Sequence, residues 1–307
     1  MKRNLIYTHL YAVFSMLFWG LSYVWSKIVF EYYSPLTTVF LRLLLSSLIL
    51  LAYIVLLRKV QKIRKEHVGL FFLSALFNPF LYFMGESYGL QLVSPTISAV
   101  IIATIPLFTP VVAYLFFREK LSILNIFGLL ISFLGIMLML IGRDFMLKAE
   151  PLGILYLFGA VIAAIIYTVI LKKLTVHYTP LCIITYQNII GVFYFLPLFL
   201  AFHYQEFVQV KPDARLISSL LQLAIFASSM AFIFYTVAVR NLGMSKANIY
   251  SNLIPVAAAV TSYFVLNEVF DFYKILGILV VVCGLLLSQI RKLRIYNHSK
   301  KKEIKLK

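Results

Sequence analysis

The chain has 307 residues, of which 62% are hydrophobic and 13% charged, whereas a soluble domain is about half apolar and about a quarter charged. That composition, with a mean hydropathy of +0.95, excludes a soluble enzyme and predicts an integral membrane protein. The formal charge of +17, from 28 Lys and Arg against 11 Asp and Glu, is therefore read by position along the chain.

Apolar runs of spanning length fall at 10–29, 36–57, 68–90, 96–117, 123–141, 152–171, 181–202, 216–239, 247–266 and 272–290. Each is continuously apolar, where a barrel strand would alternate over about ten residues. The fold class is thus an all-α integral membrane protein of ten transmembrane helices. The first run is too long for a signal-peptide core and has no small-residue cleavage site behind it, so it is expected to stay in the mature chain. With a cytoplasmic N-terminus, 21 Lys and Arg fall on the cytoplasmic side and six on the other, with Arg42 inside a helix making up the 28. The positive-inside rule then predicts a multi-pass protein of the inner (plasma) membrane with both termini cytoplasmic. The basic tail, 291–307, reads as an orientation signal beside anionic lipid, and no nucleic-acid partner is expected. Cys182 and Cys283 sit in separate apolar runs, which indicates neither a disulfide framework nor a metal site.

The chain resembles itself at a fixed offset. Shifted by 149 residues, Ile105-Pro106 falls on Ile254-Pro255, Tyr114 on Tyr263, Glu119 on Glu268, Gly128 on Gly277 and Gly135 on Gly284. Shifted by 145, Tyr33-Ser34-Pro35 falls on Tyr178-Thr179-Pro180, and Lys27 on Lys172. This predicts two five-helix units, 1–147 and 148–290, followed by the tail. Five crossings are odd, so the second unit enters the bilayer from the opposite face and the units are inverted relative to each other. Inverted units can exchange shapes and carry a central cavity from one side to the other. Such repeats favour a transporter, although channels and membrane scaffolds also contain them.

These residues resemble the drug/metabolite transporter superfamily, EamA type. The resemblance rests on Phe18-Trp19-Gly20, Tyr33-Ser34-Pro35 followed by Arg42, and Ile105-Pro106-Leu107 followed by Arg118-Glu119-Lys120. The second copy carries Ile254-Pro255, Asn267-Glu268, Gly277 and Gly284, but has Ala163-Ala164-Ile165 where the first has Phe18-Trp19-Gly20. What the resemblance implies is a ten-helix carrier with a central cavity, moving small metabolites such as amino acids, often outward.

Ionisable groups are costly in hydrocarbon and mark the first places to look for a site. Arg42 lies about 10 Å into the second run and Glu86 about 6 Å into the third, both counted from the same side at 1.5 Å per residue. Similar depth allows them to pair with each other or to bind the two ends of a zwitterion. Asn78, Tyr82 and Glu86 follow at four-residue intervals, one face of a helix that lines either a cavity or a neighbour. Trp19, with Ser15, Ser22 and Ser26, makes a comparable stripe on the first run, fit for close packing or for a pore. In the second unit Gln187 stands where Arg42 does, Tyr235 where Glu86 does, and Asn248 and Asn252 share a face of the ninth run. These nine residues, Trp19, Arg42, Asn78, Tyr82, Glu86, Gln187, Tyr235, Asn248 and Asn252, are the expected substrate-binding set. Pro106 and Pro255 are expected mid-helix, as hinges or as packing bends. Glu119 and Glu268 read as boundary or gating contacts.

The sequence carries no metal-spaced His pair, no activated Ser and no phosphate-binding loop followed by Lys. No catalytic residue, metal or cofactor is therefore expected. The partners expected are a small-molecule substrate, the lipid bilayer and protons as a coupling ion. Glu86 is the residue for that coupling, because burial favours a neutral carboxyl unless Arg42 holds it ionised. The function expected is secondary transport of an amino acid or similar amphipathic solute across the inner membrane by alternating access, outward as the resemblance implies. Alternatives are a flippase for lipid-linked intermediates and a non-transporting scaffold or sensor.

Overall fold

The computed structural model describes residues 2–108, 123–140, 149–243, 247 and 250–287. Among these lie ten apolar helices, numbered here in chain order. The first five are α1 (Lys2–Phe30), α2 (Pro35–Leu56), α3 (Lys65–Leu92), α4 (Pro95–Phe108) and α5 (Ile123–Leu140). Then come α6 (Pro151–His177), α7 (Pro180–Phe202), α8 (Ala214–Leu242), α9 (Tyr250–Leu266) and α10 (Phe272–Leu287). Most of α1, together with α2, α3, α6, α7 and α8, is long and apolar enough to cross a membrane, and the other four helices are shorter but apolar. The basic tail, 291–307, lies outside the described residues.

The helix starts follow from local chemistry. Ser34-Pro35, Ser94-Pro95 and Thr179-Pro180 each put a hydroxyl at the N-cap and a proline at the first helical position, where its missing N–H costs nothing. The three hydroxyls accept from the backbone N–H of Thr37, Ile97 and Cys182, each at 3.4 Å. Asp213 opens α8 by accepting from Leu216 N–H at 2.8 Å. A short helix, Tyr204–Gln209, links α7 to α8; it is too short and polar to be visible as an apolar run.

Four helices are irregular near their middles or entrances. α3 is interrupted at Asn78, whose φ of −149° and ψ of 117° are extended. The cause is local: Pro79 lacks an N–H and disfavours helical geometry in the residue before it. Asn78, Tyr82 and Glu86 are therefore not three steps along one continuous helix face as expected; only Tyr82 and Glu86 keep that relationship. α8 widens into π-helical turns over Leu223–Met230. Pro106 and Pro255 do not sit mid-helix either. Pro106 follows the turn at Ala103 and Thr104 that ends Pro95–Ile102, and Pro255 lies in the first turn of Leu253–Leu266, after the 3₁₀ turn Tyr250–Asn252. Both prolines open a regular segment, the place where a helix tolerates them best.

Helices pack in definite pairs. α1 lies against α8 and α9, α6 against α3 and α4, α2 along α7, α4 against α9, and α3 and α8 also touch α7 and α2. Small residues set the closest approaches, as expected where lipid removes most of the hydrophobic drive between helices. A Cβ added at Gly85 of α3 would stand 2.6 Å from Tyr156 O of α6. On α5 and α10, a Cβ at Gly135 would stand 2.8 Å from Gly277 O, and one at Gly284 2.7 Å from Gly128 O. Outward faces carry bare apolar side chains such as Leu155, Phe193 and Phe264. Water would penalise such a surface, and hydrocarbon does not.

Candidate functional site

An internal cavity of about 70 Å³ lies where six helices meet. α1 contributes Trp19 and Tyr23, α3 Asn78 and Tyr82, α4 Ile105 and Pro106, α6 Tyr167 and Thr168, α8 Phe232 and Tyr235, and α9 Ser251 and Ile254. Trp19 meets Phe232 edge-on at 4.9 Å and Tyr235 at 5.2 Å between ring centroids. The helix breaks at Asn78, before Pro106 and at Tyr250–Asn252 all reach this wall. Irregular backbone is tolerated at membrane depth where it faces a cavity rather than lipid.

Behind the wall the polar groups form two sets. Glu86 Oε1 accepts the hydroxyls of Tyr82 at 2.7 Å and of Tyr23 at 3.1 Å. The carboxylate thus stands one step back, reaching the cavity through two phenols. On the other side, the Tyr167 hydroxyl donates to Gln187 Oε1 at 3.3 Å, Gln187 Nε2 donates to Ser74 Oγ, and Tyr235 is hydrogen-bonded to Thr168. Tyr23 on Glu86 and Thr168 on Tyr235 occupy matching positions at the 145- and 149-residue offsets.

Arg42 and Glu86 lie within electrostatic reach of each other, yet no direct ion pair joins them among the described residues. Arg42 Nε donates to Ser228 Oγ at 2.8 Å, and the guanidinium lies 4.4 Å above the Phe83 ring. Asn188 extends this set, donating to Ser46 Oγ at 2.7 Å and to Ser228 O at 3.0 Å. Equal depth along two helices gives one coordinate only; the azimuth sends Arg42 toward α8 and Glu86 toward α1.

Of the expected binding set, Trp19, Asn78, Tyr82 and Tyr235 line the cavity, while Arg42, Glu86 and Gln187 stand behind it. Asn252 adjoins it through Ser251, and both atoms of its side-chain amide are buried with no partner among the described residues. Asn248 and Glu119 lie outside the described residues. Pro106 is in the wall, and Pro255 follows the wall residue Ile254. Glu268 is remote from the cavity, at the far end of α9, where it pairs with Lys274 and accepts from Thr96 Oγ1 at 2.8 Å. Burial works against its charge, but hydrogen bonds from Lys274, Ser94 and Thr96 outweigh it and hold the carboxyl below its ordinary value of 4.5.

Tyr23, Tyr167, Thr168 and Phe232 are wall residues that reading for isolated polar groups does not single out. Gln61 and Glu206, described below, are also new. Gln61 lies in a loop and Glu206 on the short helix Tyr204–Gln209, and their only advance signal is that 145 residues separate them.

A multi-pass helical bundle around an internal aromatic and hydroxyl-lined cavity is the architecture of a solute transporter. The chain belongs to the EamA-like transporter family of the drug/metabolite transporter superfamily, whose model matches residues 6–141 and again 151–289. It is similar to the "Uncharacterized transporter YetK" of Bacillus subtilis (strain 168), 26% identical over 277 residues, covering 89% of this chain and 84% of that one. An "Uncharacterized transporter" of Archaeoglobus fulgidus is 24% identical over 287 residues, covering 92% and 96%. A crystal structure of a protein 14% identical in sequence superposes with a TM-score of 0.69 over 92% of this chain and 97% of that one, which shows a shared fold.

Proposed function

We propose that the protein is a secondary carrier that moves a small amphipathic metabolite, an amino acid or a solute of similar character, by alternating access. The observation that carries this reading is the composition of the cavity wall. α1, α3 and α4 supply one half, and α6, α8 and α9 supply the other. The helix pairing supports two units related by inversion, 1–147 and 148–290. Exchanging α1 with α6, α2 with α7, α3 with α8, α4 with α9 and α5 with α10 turns the main packing pairs into one another: α1 on α8 becomes α6 on α3, and α1 on α9 becomes α6 on α4. Gly135 against Gly277 likewise becomes Gly284 against Gly128. Two units with interchangeable contacts have two arrangements of similar energy, which is the condition for exposing one cavity to either side.

The positive-inside count supports cytoplasmic termini in the inner membrane, and export is the direction that the family resemblance favours. A cavity this small holds a handful of waters, so in this reading the wall must part to admit a solute. The six aromatic walls and their hydroxyls suit an apolar body bearing hydrogen-bonding ends. Such a cavity favours a carrier over a flippase, which needs a lateral groove. Glu86 is the proton-coupling group in this reading: protonation would change its hold on two wall tyrosines at once. Uptake of labelled amino acids into proteoliposomes under imposed pH gradients tests the proposal. A gradient that drives accumulation by the parent chain, but not by Glu86→Gln, supports it; an identical gradient response in both excludes Glu86 from coupling.

A further inference from the structure

α2 and α7 run antiparallel along each other. Phe40 near the start of α2 stacks on Phe199 near the end of α7 at 4.4 Å, and Cys182 at the start of α7 reaches Lys59 O beyond the end of α2 at 3.3 Å. Their N-termini therefore lie at opposite ends of the pair, and each is closed by a residue from the other half of the chain. Glu206, on the short helix between α7 and α8, accepts the Ser34 backbone N–H at 2.6 Å and the Thr37 hydroxyl at 3.4 Å. Gln61, between α2 and α3, accepts the Thr179 backbone N–H at 2.7 Å and its hydroxyl at 3.0 Å.

The two contacts are the same device used twice. In a capping box, the N-cap hydroxyl serves the N3 amide while an N3 Glu or Gln side chain returns to the N-cap amide. Here the N3 residues are Thr37 and Cys182, which leave the returning bond to another residue. Glu206 and Gln61 supply it from a distant segment. The offset is 145 residues for both members, Gln61 to Glu206 and Ser34 to Thr179.

Each contact has local reinforcement. At the Glu206 end, His203 Nδ1 lies 3.0 Å from Glu206 Oε2, and Arg215 pairs with Glu31 at 2.8 Å. At the Gln61 end, the Tyr186 hydroxyl donates to Gln61 O at 2.8 Å, and Tyr178 OH meets His67 Nδ1 at 2.9 Å. Both contacts are made in the same structure, at opposite ends of the α2–α7 pair.

We propose that Glu206–Ser34 and Gln61–Thr179 are the two latches of the carrier, each holding shut the face on which it lies. This rests on the alternating-access reading above. Each latch joins one proposed unit to the other, so a relative movement of the units at one end must break it. What is lost at each latch is two hydrogen bonds, from an amide and a hydroxyl that water can then serve, a modest net loss that thermal motion and solute binding can meet. Removing a latch raises the energy of the closed state and of the opposite open state, in both of which it is made, but not of the state open on its own face, so the population moves toward the face that was released.

The test uses the full chain with Cys182→Ser and Cys283→Ser and one reporter, Ile102→Cys, in the cavity wall. Its rate of modification by a membrane-impermeant maleimide is measured in sealed vesicles of both orientations. Glu206→Ala should react at least threefold faster from the Glu206 side and more slowly from the other. Gln61→Ala should show the reverse, and Glu206→Gln, which keeps the acceptor found at the opposite latch, should restore the parental rates. Opposite, side-specific changes are what general destabilisation does not produce. Should the alanine variant not fold, Glu206→Asp, with its shorter reach, must shift the rates in the same direction. Equal changes from both sides, no change, or a Glu206→Gln that behaves like Glu206→Ala overturns the latches while the carrier stands. A parent chain whose reporter reacts from one side alone overturns alternating access, and the latches with it.

Discussion

The Tyr82 hydroxyl donates to Glu86 Oε1 at 2.7 Å, and it does so from the cavity wall. The carboxylate therefore reaches the cavity through a phenol. Tyr23 makes the same bond from α1, longer at 3.1 Å. The two bonds differ in length but share an acceptor, so their removal should rank in a predictable order.

Tyr82→Phe should lower the initial transport rate roughly fivefold, the equivalent of about 1 kcal/mol for one hydrogen bond. Tyr23→Phe should have the smaller effect. Rates in proteoliposomes at limiting solute decide this, and a larger loss in Tyr23→Phe would reverse the assignment.

A steric prediction concerns the α3–α6 contact. Gly85→Ala puts a methyl 2.6 Å from a backbone oxygen of α6, an overpacking that costs about 1–3 kcal/mol. Gly159, also on α6, has nothing within 4 Å of its added Cβ, so Gly159→Ala should leave stability unchanged or raise it slightly through helix propensity. Thermal unfolding of the two purified variants in detergent should separate them by several degrees, with Gly85→Ala the lower.

Much of the fold was legible. Ten apolar runs became ten apolar helices among the described residues, and Ser-Pro or Thr-Pro marked the starts of α2, α4 and α7, because those signals act within a few residues. The cavity was legible in part. Trp19, Tyr82 and Tyr235 could be found as polar or aromatic positions in apolar runs, but Tyr167 and Phe232 could not be told from ordinary core. The expected Arg42–Glu86 pair went astray because spacing reports depth and not direction. The Asn78–Glu86 face went astray because Pro79 was left out of the periodicity. Gln61 and Glu206 were invisible to a search of apolar runs, since both lie between runs and meet Thr179 and Ser34 only through the fold.

Asn252 carries two buried amide atoms with no partner among the described residues. Replacing such a group by an apolar one of similar size is nearly neutral for folding. Asn252→Leu should thus keep its melting temperature within a degree or two while losing most of its transport. A variant that melts much earlier and transports at the parental rate per folded molecule would assign Asn252 a structural role.

Glu268 offers a test by pH. Its carboxyl is held below 4.5 in the folded chain, so its contribution to stability is fully present above about that pH and is lost as pH falls through the lower folded-state value. Glu268→Gln removes that contribution. The melting temperatures of parent and variant should therefore differ most near pH 7 and converge as the pH is taken below 4.5. A difference that stays constant across this range would mean that the charge of Glu268 is not what holds the α9–α10 connection to Thr96.

The central claim is that one cavity is reached from both sides of the membrane in turn. Single cysteines at Tyr82 and Asn252, in a chain lacking Cys182 and Cys283, test it most directly when an impermeant thiol reagent is applied from each side with and without saturating solute. The account predicts that each position reacts in a state-dependent way, the two favouring opposite sides, and that solute shifts both rates together in opposite directions. Two cysteines that stay unreactive from either side, or that react from one fixed side whatever the solute, would contradict it.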